Sequence, residues 1–455
     1  MVSEGLKLSI ILPSYNEEKR LASALDELIL FFSQSDYEYE IIVSADGSTD
    51  DTVKIASEYA EKCENIFLVT FPERLGKGGG IVNASRVATG DVLIIFDADL
   101  SVPPEQIHST LKIMDEEKAD IIYGSRNLPG SVIVDTPPWY RKILGKLFNF
   151  LFRLLFRIKL HDTQCGFKAI RKKTLDSLQR YLNIEGYAFD IDLAVKAIKH
   201  GYKIVEIPVT WCHGEGSTIN VIRQTFVMGR DLLIVWFEGK KKELGSIETM
   251  ESFYQDVPGD VYSKAVTSWF LPRRWWHKIK NGALLNAVPS EAVSVFDNGF
   301  GSGTIFKDLL DRSKDVHGLD IGEGFVRYVH NEYGSEVKLL YSDASFIPLR
   351  ENVLDCIICS EVLEHLPEPS FAISEMHRIL KSDGVLLLTT PNISLRWVII
   401  EFFWTHLRRE IIEVEHVAFT RRRLRYYLIS GGFRILSDRV FMFGCLNFVK
   451  AVKYF

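Results

Sequence analysis

Short apolar segments that alternate with polar-faced helical stretches constrain this chain most, and the alternation runs twice. In the first series, residues 8–12, 39–43, 66–71, 92–96 and 120–123 read as strands, each leading into a turn or a helix. A mostly parallel sheet with helices on its faces, an α/β fold, satisfies that order. A second series begins at 293–297 and continues through 317–320, 338–341, 354–359 and 385–389. A charged patch at 238–243 (EGKKKE), then Gly245 and Ser246, separates the two. The 455 residues suit two or three domains at about 100–200 residues each. The expected division is a first domain at 1–240 and a second at 241–455, with 241–290 as linker and helical lid. The lid carries Trp269, Trp275 and Trp276.

Charge and cysteine usage exclude several classes. With 54 Lys and Arg against 60 Asp and Glu, the net charge of −6 leaves no basic footprint, so no nucleic-acid partner is expected. The six cysteines (Cys63, Cys165, Cys212, Cys356, Cys359, Cys445) are scattered, which is no disulfide framework and fits a reducing cytosol. Cys356 and Cys359 form a CxxC inside an apolar run with no second Cys/His pair nearby, and read as buried strand cysteines. Residues 1–7 hold no apolar signal core, and no stretch reaches the roughly 18 uncharged apolar residues of a membrane span. A cytoplasmic protein, peripheral on the inner face of the membrane, is expected.

Asp97-Ala98-Asp99 follows the apolar strand 92–96, which puts two carboxylates at a strand's C-terminal end, where open α/β sheets bind ligands. A nucleotide diphosphate needs its charge neutralised, and hard divalent cations take carboxylate oxygens while phosphates supply the rest. Two further turns end strands at the same edge: Pro13-Ser14-Tyr15-Asn16-Glu17-Glu18 and Asp46-Gly47-Ser48-Thr49-Asp50. Each also reads as a plain strand-to-helix turn with Asn16 or Ser48 as N-cap.

Together these segments resemble family 2 glycosyltransferases of the GT-A fold, nearest the branch that makes dolichyl- or polyprenyl-phosphate glucose and mannose. The resemblance covers residues 7–237. It rests on the segments already quoted and on GKGG at 76–79, DADLS at 97–101, GSR at 124–126, DTQCGFK at 162–168 and GYAFD at 186–190. It implies that Pro13, Tyr15, Glu17 and Asp46 line the nucleoside. Lys77, Asp97, Ala98 and Asp99 would complete the nucleotide-sugar site, with Asp97 and Asp99 holding Mg2+ or Mn2+. Arg126 and Arg141 would grip an acceptor phosphate. Such a phosphate is already an anionic nucleophile, so positioning replaces general-base catalysis. The donor would be of the UDP-glucose or GDP-mannose type. Three departures leave the sugar and base open. Ala45 stands where a second acid is usual, Ser101 where mannosyl enzymes carry Gln, and Gly214-Glu215-Gly216-Ser217-Thr218 lacks the usual basic charges, for which His213 or Arg223 could substitute.

Residues 141–159 support a lipid acceptor independently. Ten apolar side chains accompany Lys142, Lys146, Arg153 and Arg157 at helical spacing, and no acid occurs from Thr136 to His161. An amphipathic basic helix suits an anionic membrane surface, with Phe148, Phe152 and Leu155 expected to face lipid. A core helix with a solvated face is the plain alternative.

In the second series, Asp297-Asn298-Gly299-Phe300-Gly301-Ser302-Gly303 follows a strand and opens a helix, where glycines let backbone approach a ligand. Asp320 ends the next strand, in position for ribose hydroxyls, and Asp343 follows the third. With Ser360-Glu361-Val362-Leu363-Glu364-His365-Leu366 and the segments 386–392, 416–420 and 431–433, residues 290–455 resemble class I S-adenosylmethionine methyltransferases of the type 11 group, a Rossmann-like fold. The resemblance implies that Asp297, Gly299, Gly301 and Gly303 wrap the methionine part, Asp320 the ribose and Asp343 the adenine, with Glu361 in contact. Phe300 and Asn298 replace the usual cysteine and small apolar residue. Glu361, Glu364 and His365 could also hold a metal, though such glutamates more often contact cofactor or cap a helix.

The combined expectation is a two-domain α/β bifunctional enzyme: inverting hexose transfer to dolichyl or polyprenyl phosphate, and methyl transfer to a glycan or pathway intermediate. Two rivals stand beside it. The first domain could extend a glycan or protein hydroxyl, which needs a base such as Asp190 or Asp192. Alternatively, one domain could be a degenerate binding module.

Overall fold

The computed structural model describes residues 5–71, 74–134, 139–212, 221–239, 254–255, 257–267, 269, 271–312, 315–400 and 419–454; the side chains of 139–144, 146–147, 221–223, 225 and 271–273 are not among those described. Two compact units divide the chain, Met1–Lys240 and Lys241–Phe455.

In the first unit the strands are β1 (Lys7–Ser14), β2 (Glu38–Asp46), β3 (Ile66–Phe71), β4 (Val92–Ile95), β5 (Ile121–Ser125), β6 (Val132–Ile133), β7 (Lys168–Arg171), β8 (Ile204–Pro208) and β9 (Thr210–Trp211). The helices are α1 (Leu21–Ser33), α2 (Thr52–Lys62), α3 (Lys77–Val87), α4 (Gln106–Glu116), α5 (Trp139–Phe156), α6 (Lys172–Leu178), α7 (Phe189–Lys199) and α8 (Val221–Glu238). Seven strands form one sheet in the order β3-β2-β1-β4-β7-β5-β8. Leu8, Ile10, Ile11 and Leu12 of β1 are all buried, as a central strand covered on both faces requires.

The sheet is mostly parallel, as expected, and one strand makes it mixed. β7 lies between β4 and β5 and runs antiparallel to both. The loop 157–167 leads from α5 into β7. Its register pairs Ile95 with Lys168. Continuing that register past the end of β4 sets Phe96 near Phe167, whose rings lie 5.0 Å apart. It also brings the segment 162–168 against the carboxylates that follow β4.

The expected amphipathic helix at 141–159 is observed as α5, but its faces differ from expectation. Phe148 and Phe152 are buried, at 9% and 0% exposure, and α5 packs on α8. These two phenylalanines therefore belong to the core and not to a lipid-facing surface. Phe150, Leu151 and Leu154 are the exposed ones. Spacings of one, three and four residues place those three on one stripe. Arg157 lies beyond the helix end with a φ of 57°.

In the second unit the strands are β10 (Ser294–Asn298), β11 (Asp315–Asp320), β12 (Val337–Tyr341), β13 (Leu354–Ser360), β14 (Leu380–Pro391), β15 (Phe433–Phe441) and β16 (Leu446–Lys453). Their order is β12-β11-β10-β13-β14-β16-β15, parallel except that β16 runs against β14 and β15. The reversal of order beside β10 makes a crevice at the carboxyl ends of the strands. Cys356 and Cys359 are buried in β13, and burial pushes both thiols up, Cys356 to about 12, which makes them inert strand residues.

The two faces of α5 can be separated by chemical denaturation. Phe152→Ala should lower the stability of the first unit by about 3–5 kcal/mol, while Phe150→Ala should change it by less than about 0.5 kcal/mol. Equal losses would refute this placement of the faces.

Candidate active sites

At the edge of the first sheet, the turns after β1 and β2 are joined side by side. Asn16, held at a φ of 57°, accepts from the Thr49 amide at 2.8 Å and donates its own amide to Ser48 Oγ at 3.1 Å. The Glu17 amide donates to Thr52 Oγ1 at 2.8 Å and the Glu18 amide to an Asp50 oxygen at 3.1 Å. Asn16 and Ser48 therefore tie two loops together. Neither caps a helix, because α1 starts after Arg20 and α2 after Asp51.

Asp46 is buried, and its carboxylate accepts the Leu75 amide and the Gly76 amide, the latter at 2.6 Å. It anchors the chain that turns into α3, where Gly76 adopts a φ of 105° and the Glu185 carbonyl accepts from the Gly78 amide at 2.8 Å. Tyr15, half-buried beside Pro13, carries the Arg74 guanidinium 3.5 Å above its ring centroid. Pro13, Tyr15 and Asp46 thus occupy one corner of the unit, with Asp46 acting through the loop that it holds.

Two carboxylates after β4 face the same edge. Lys77, the first residue of α3, donates to Asp97 Oδ1 at 2.7 Å. Burial raises the Asp97 carboxyl, but Lys77, then Lys168 and Arg126, outweigh it and hold Asp97 below its ordinary value. Burial likewise disfavours the Lys77 ammonium, and Asp97 followed by Asp190 overcomes this to raise it. Asp99 accepts from the Ser101 hydroxyl at 2.6 Å and lies 3.5 Å from Arg20, and Ala98 between the two acids is buried. Glu17 accepts from the Nε and NH2 of Arg20 at 2.7 and 2.8 Å, yet burial still raises its pKa. A Cβ on Gly166 would sit 1.9 Å from Asp97 Oδ2, so only glycine fits behind that carboxylate.

Arg126 lies on the neighbouring rim. Asp162, itself fully buried, accepts its Nε at 2.7 Å, its NH2 at 3.0 Å and its amide at 3.1 Å, and Trp211 packs 5.4 Å from the guanidinium. This bidentate clamp fixes the fork while leaving NH1 outside it. Arg141 falls in the first turn of α5, but its side chain lies outside those described, as does that of Arg223. His213 and residues 214–218 also lie outside the described residues. Asp190 and Asp192, the candidate general bases, are buried. Asp190 pairs with Lys168 at 3.0 Å, and Asp192 accepts the amides of Asn183 and Ile184 at 2.6 and 3.0 Å. Each keeps a buried carboxylate oxygen without a hydrogen-bond partner among the described residues, and burial raises the Asp192 carboxyl to about 6.

In the second unit the loop after β10 holds Gly299, Gly301 and Gly303 at φ values of 83°, 54° and 63°. Neighbours close on it tightly: a Cβ on Gly299 would meet Val362 at 2.2 Å, and one on Gly301 would meet the Tyr262 ring at 2.8 Å. Asp320 accepts the amides of Gly301 and Gly322, both at 2.8 Å, which ties the loop to the end of β11. Those two bonds leave lone pairs on the carboxylate for ribose hydroxyls. Asp343, half-buried, follows β12, and Glu361 sits after β13 with a φ of 57°. Asn298 is fully buried beneath the loop, with no hydrogen-bond partner for its carboxamide.

Sequence reasoning missed Lys280, on the lid helix Leu271–Ala287. It is 8% exposed and forms an ion pair with Glu361. Nothing in its neighbourhood marks it, since the two residues are 81 positions apart. Burial, then Asp320, raises the Asp297 carboxyl to about 7 while Lys280 opposes, and burial raises Asp320 to about 6. Among the described residues, three acids meet one ammonium, which suits a ligand that carries positive charge, as the sulfonium and ammonium of S-adenosylmethionine do. Arg20 and Gly166 were missed in the first unit, although Gly166 lies inside a segment already noted. Among the described residues no cluster of three or more His, Cys, Asp or Glu side chains forms a metal site, so Glu361, Glu364 and His365 are not brought together as one. Residues 416–418 lie outside the described residues.

Comparison with known proteins follows the same division. Residues 9–179 match the family Glycosyl transferase family 2, and residues 296–388 match a Methyltransferase domain family. Dolichyl-phosphate beta-glucosyltransferase of Drosophila melanogaster is 35% identical over 246 residues, which span 51% of this chain and 76% of that protein. The protein of the same name from Dictyostelium discoideum is 33% identical over 245 residues, 51% and 75% of the two chains. Glycosyltransferase AglD of Haloferax volcanii is 30% identical over 237 residues, 51% of this chain and 38% of that one.

The elevated Asp297 pKa makes the second site pH-dependent. In calorimetric titrations, affinity for S-adenosylmethionine should rise as pH passes upward through about 7, where Asp297 ionises in the folded chain, and Asp297→Asn should flatten that rise. The sign for stability is opposite. The carboxyl ionises near 3.8 when unfolded and near 7 when folded, so the free second unit should lose stability as pH rises between those values. An affinity that falls with pH would refute the assignment.

Proposed function

As a member of the family 2 glycosyltransferases that carries a methyltransferase domain in its second unit, this chain is an enzyme with two group-transfer sites, and we propose that the first moves a hexose from a nucleotide sugar to dolichyl or polyprenyl phosphate. The observation that carries this reading is the Arg126 fork, clamped by Asp162 on the rim of the Asp97 site. A phosphate acceptor needs cationic positioning and no base. The dolichyl-phosphate beta-glucosyltransferases among the relatives support the same acceptor.

In this reading the joined turns and Tyr15 seat the nucleoside, and Lys77 faces the diphosphate from the start of α3. Asp97 and Asp99 fit a magnesium or manganese ion, because such an ion takes one or two protein carboxylates and fills its shell with phosphate oxygens and water. When bound, it neutralises the departing diphosphate. Arg126 holds the acceptor phosphate in line with the anomeric carbon, so transfer inverts. The donor is of the UDP-glucose or GDP-mannose type.

Among the described residues no helix is long and apolar enough to cross a membrane. The exposed stripe Phe150, Leu151 and Leu154, beside the exposed Arg153, Arg157 and Lys159, supports peripheral attachment at the inner, cytoplasmic face of an anionic membrane. The second unit takes its methyl group from S-adenosylmethionine. The glycine loop with Asp297 holds the methionine end, Asp320 the ribose and Asp343 the adenine, and Glu361 with Lys280 closes the pocket from the lid side. A glycan or intermediate of the same pathway receives the methyl group.

Three measurements test this. Asp97→Asn, Asp99→Asn, Gly166→Ala or excess chelator should abolish sugar transfer to polyprenyl phosphate while leaving S-adenosylmethionine affinity unchanged; full turnover in chelator refutes the metal. Asp320→Ala should weaken S-adenosylmethionine binding by about 1.5–3 kcal/mol, roughly tenfold or more, without affecting sugar transfer. Serine at 150, 151 and 154 together should release the protein from anionic liposomes in flotation and raise the KM for lipid. Wild-type protein that ignores liposomes and prefers a soluble sugar acceptor would overturn the lipid reading.

A further inference from the structure

An aromatic face lies at the carboxyl edge of the second sheet, built from three separate segments. Trp275 and Trp276 come from the lid helix Leu271–Ala287, and Trp397 from a helical stretch that follows β14. Phe443 comes from the turn between β15 and β16. The Trp276 and Trp397 rings are 5.6 Å apart and tilted by 34°; Trp275 and Phe443 are 6.0 Å apart and tilted by 32°. Topology explains the convergence. β10 and β14 run in the same direction as β13 between them, so the glycine loop and the segment after β14 leave the sheet at one edge. β16 runs oppositely and pairs Leu446 with Pro391, so the 442–445 turn returns to that edge.

The face adjoins the methyl-donor pocket through one helix. Trp276 precedes Lys280 by four residues, which stacks them on one helical face, and Lys280 reaches Glu361 beside the glycine loop. The aromatic rings are not all core residues: Trp275 is 47% exposed and Phe443 71%. Cations border them. Arg274 and Lys278 are exposed on the same helix, and Arg396, also exposed, donates to the Phe443 carbonyl at 3.1 Å.

We propose that this face is the acceptor site of the methyltransferase unit and that it takes a hexose carried on a phosphate. Indole faces cover the C–H face of a pyranose, while the arginines and the lysine suit the phosphate that carries it. The proposal rests on the reading of the first unit as one that makes such a molecule. In the transfer, a sugar hydroxyl oxygen forms the new O–CH3 bond as the S–CH3 bond breaks. The bonding pair stays on sulfur, which becomes a neutral thioether, and the hydroxyl proton passes to water.

The test supplies the acceptor ready-made to the full chain, with labelled S-adenosylmethionine. Undecaprenyl-phosphate glucose, undecaprenyl phosphate and octyl glucoside are compared. Label should enter the sugar of the first, with little in the other two. Trp275→Ala and Trp397→Ala should each raise the acceptor KM by about tenfold, with S-adenosylmethionine affinity by calorimetry unchanged, which also reports that the unit is folded. Arg396→Gln should raise the KM for the phosphate-bearing acceptor and not the residual rate on octyl glucoside. Equal labelling of octyl glucoside, or an unchanged KM in both tryptophan variants, overturns the proposal. Because the acceptor is supplied, failure of the first unit to glycosylate polyprenyl phosphate would refute that earlier reading alone. A second unit that ignores undecaprenyl-phosphate glucose while the first unit produces it would refute this proposal alone.

Discussion

The Lys77–Asp97 ion pair, at 2.7 Å, is the contact around which the first site is organised. A sheet edge that gathers Glu17, Asp97 and Asp99 concentrates negative charge, and partly desolvated carboxylates are costly without compensation. Lys77 and Arg20 supply that compensation from the first turn of α3 and the approach to α1. The position of Lys77 depends in turn on Asp46, which holds the Leu75 and Gly76 amides, and on Glu185, whose carbonyl meets the start of α3. Asp192 fixes the 183–184 backbone that leads to Glu185. A buried acid thereby helps to position Lys77, although the two do not touch.

The second unit meets the same problem with a different element. Asp297, Asp320 and Glu361 converge at the carboxyl ends of β10, β11 and β13, and the compensating ammonium arrives from the lid helix rather than from the sheet. Its compensation is incomplete, as the raised pKa values of Asp297 and Asp320 show. The two units therefore differ: Asp97 is held below its ordinary value by its cations, whereas Asp297 and Asp320 stay above theirs.

Much of this was legible along the chain because strand ends are local features. An uncharged strand followed by DAD, or by DNGFGSG, places its functional groups at a sheet edge whatever lies beyond. The anchoring contacts were less legible. Asp46 reads as a pocket acid, yet spends both oxygens on backbone amides; Asn16 and Ser48 read as caps, yet bind each other's loops. Phe148 and Phe152 read as lipid-facing because a helical pattern shows which residues share a face but not which face meets the core.

The sequence by itself determined two α/β units, the sheet edges that carry chemistry, and the acids standing there, since each depends on residues within a few positions of one another. Only the tertiary structure decided what compensates and shapes those acids. β7 enters antiparallel beside β4, and that register alone brings Gly166 behind Asp97 and Asp162 within reach of Arg126. Lys280 meets Glu361 across 81 residues, and Trp276 meets Trp397 with the strands β10 to β14 between them in the chain. Such pairings are set by strand order and direction, which the packing of whole elements selects and no local spacing encodes.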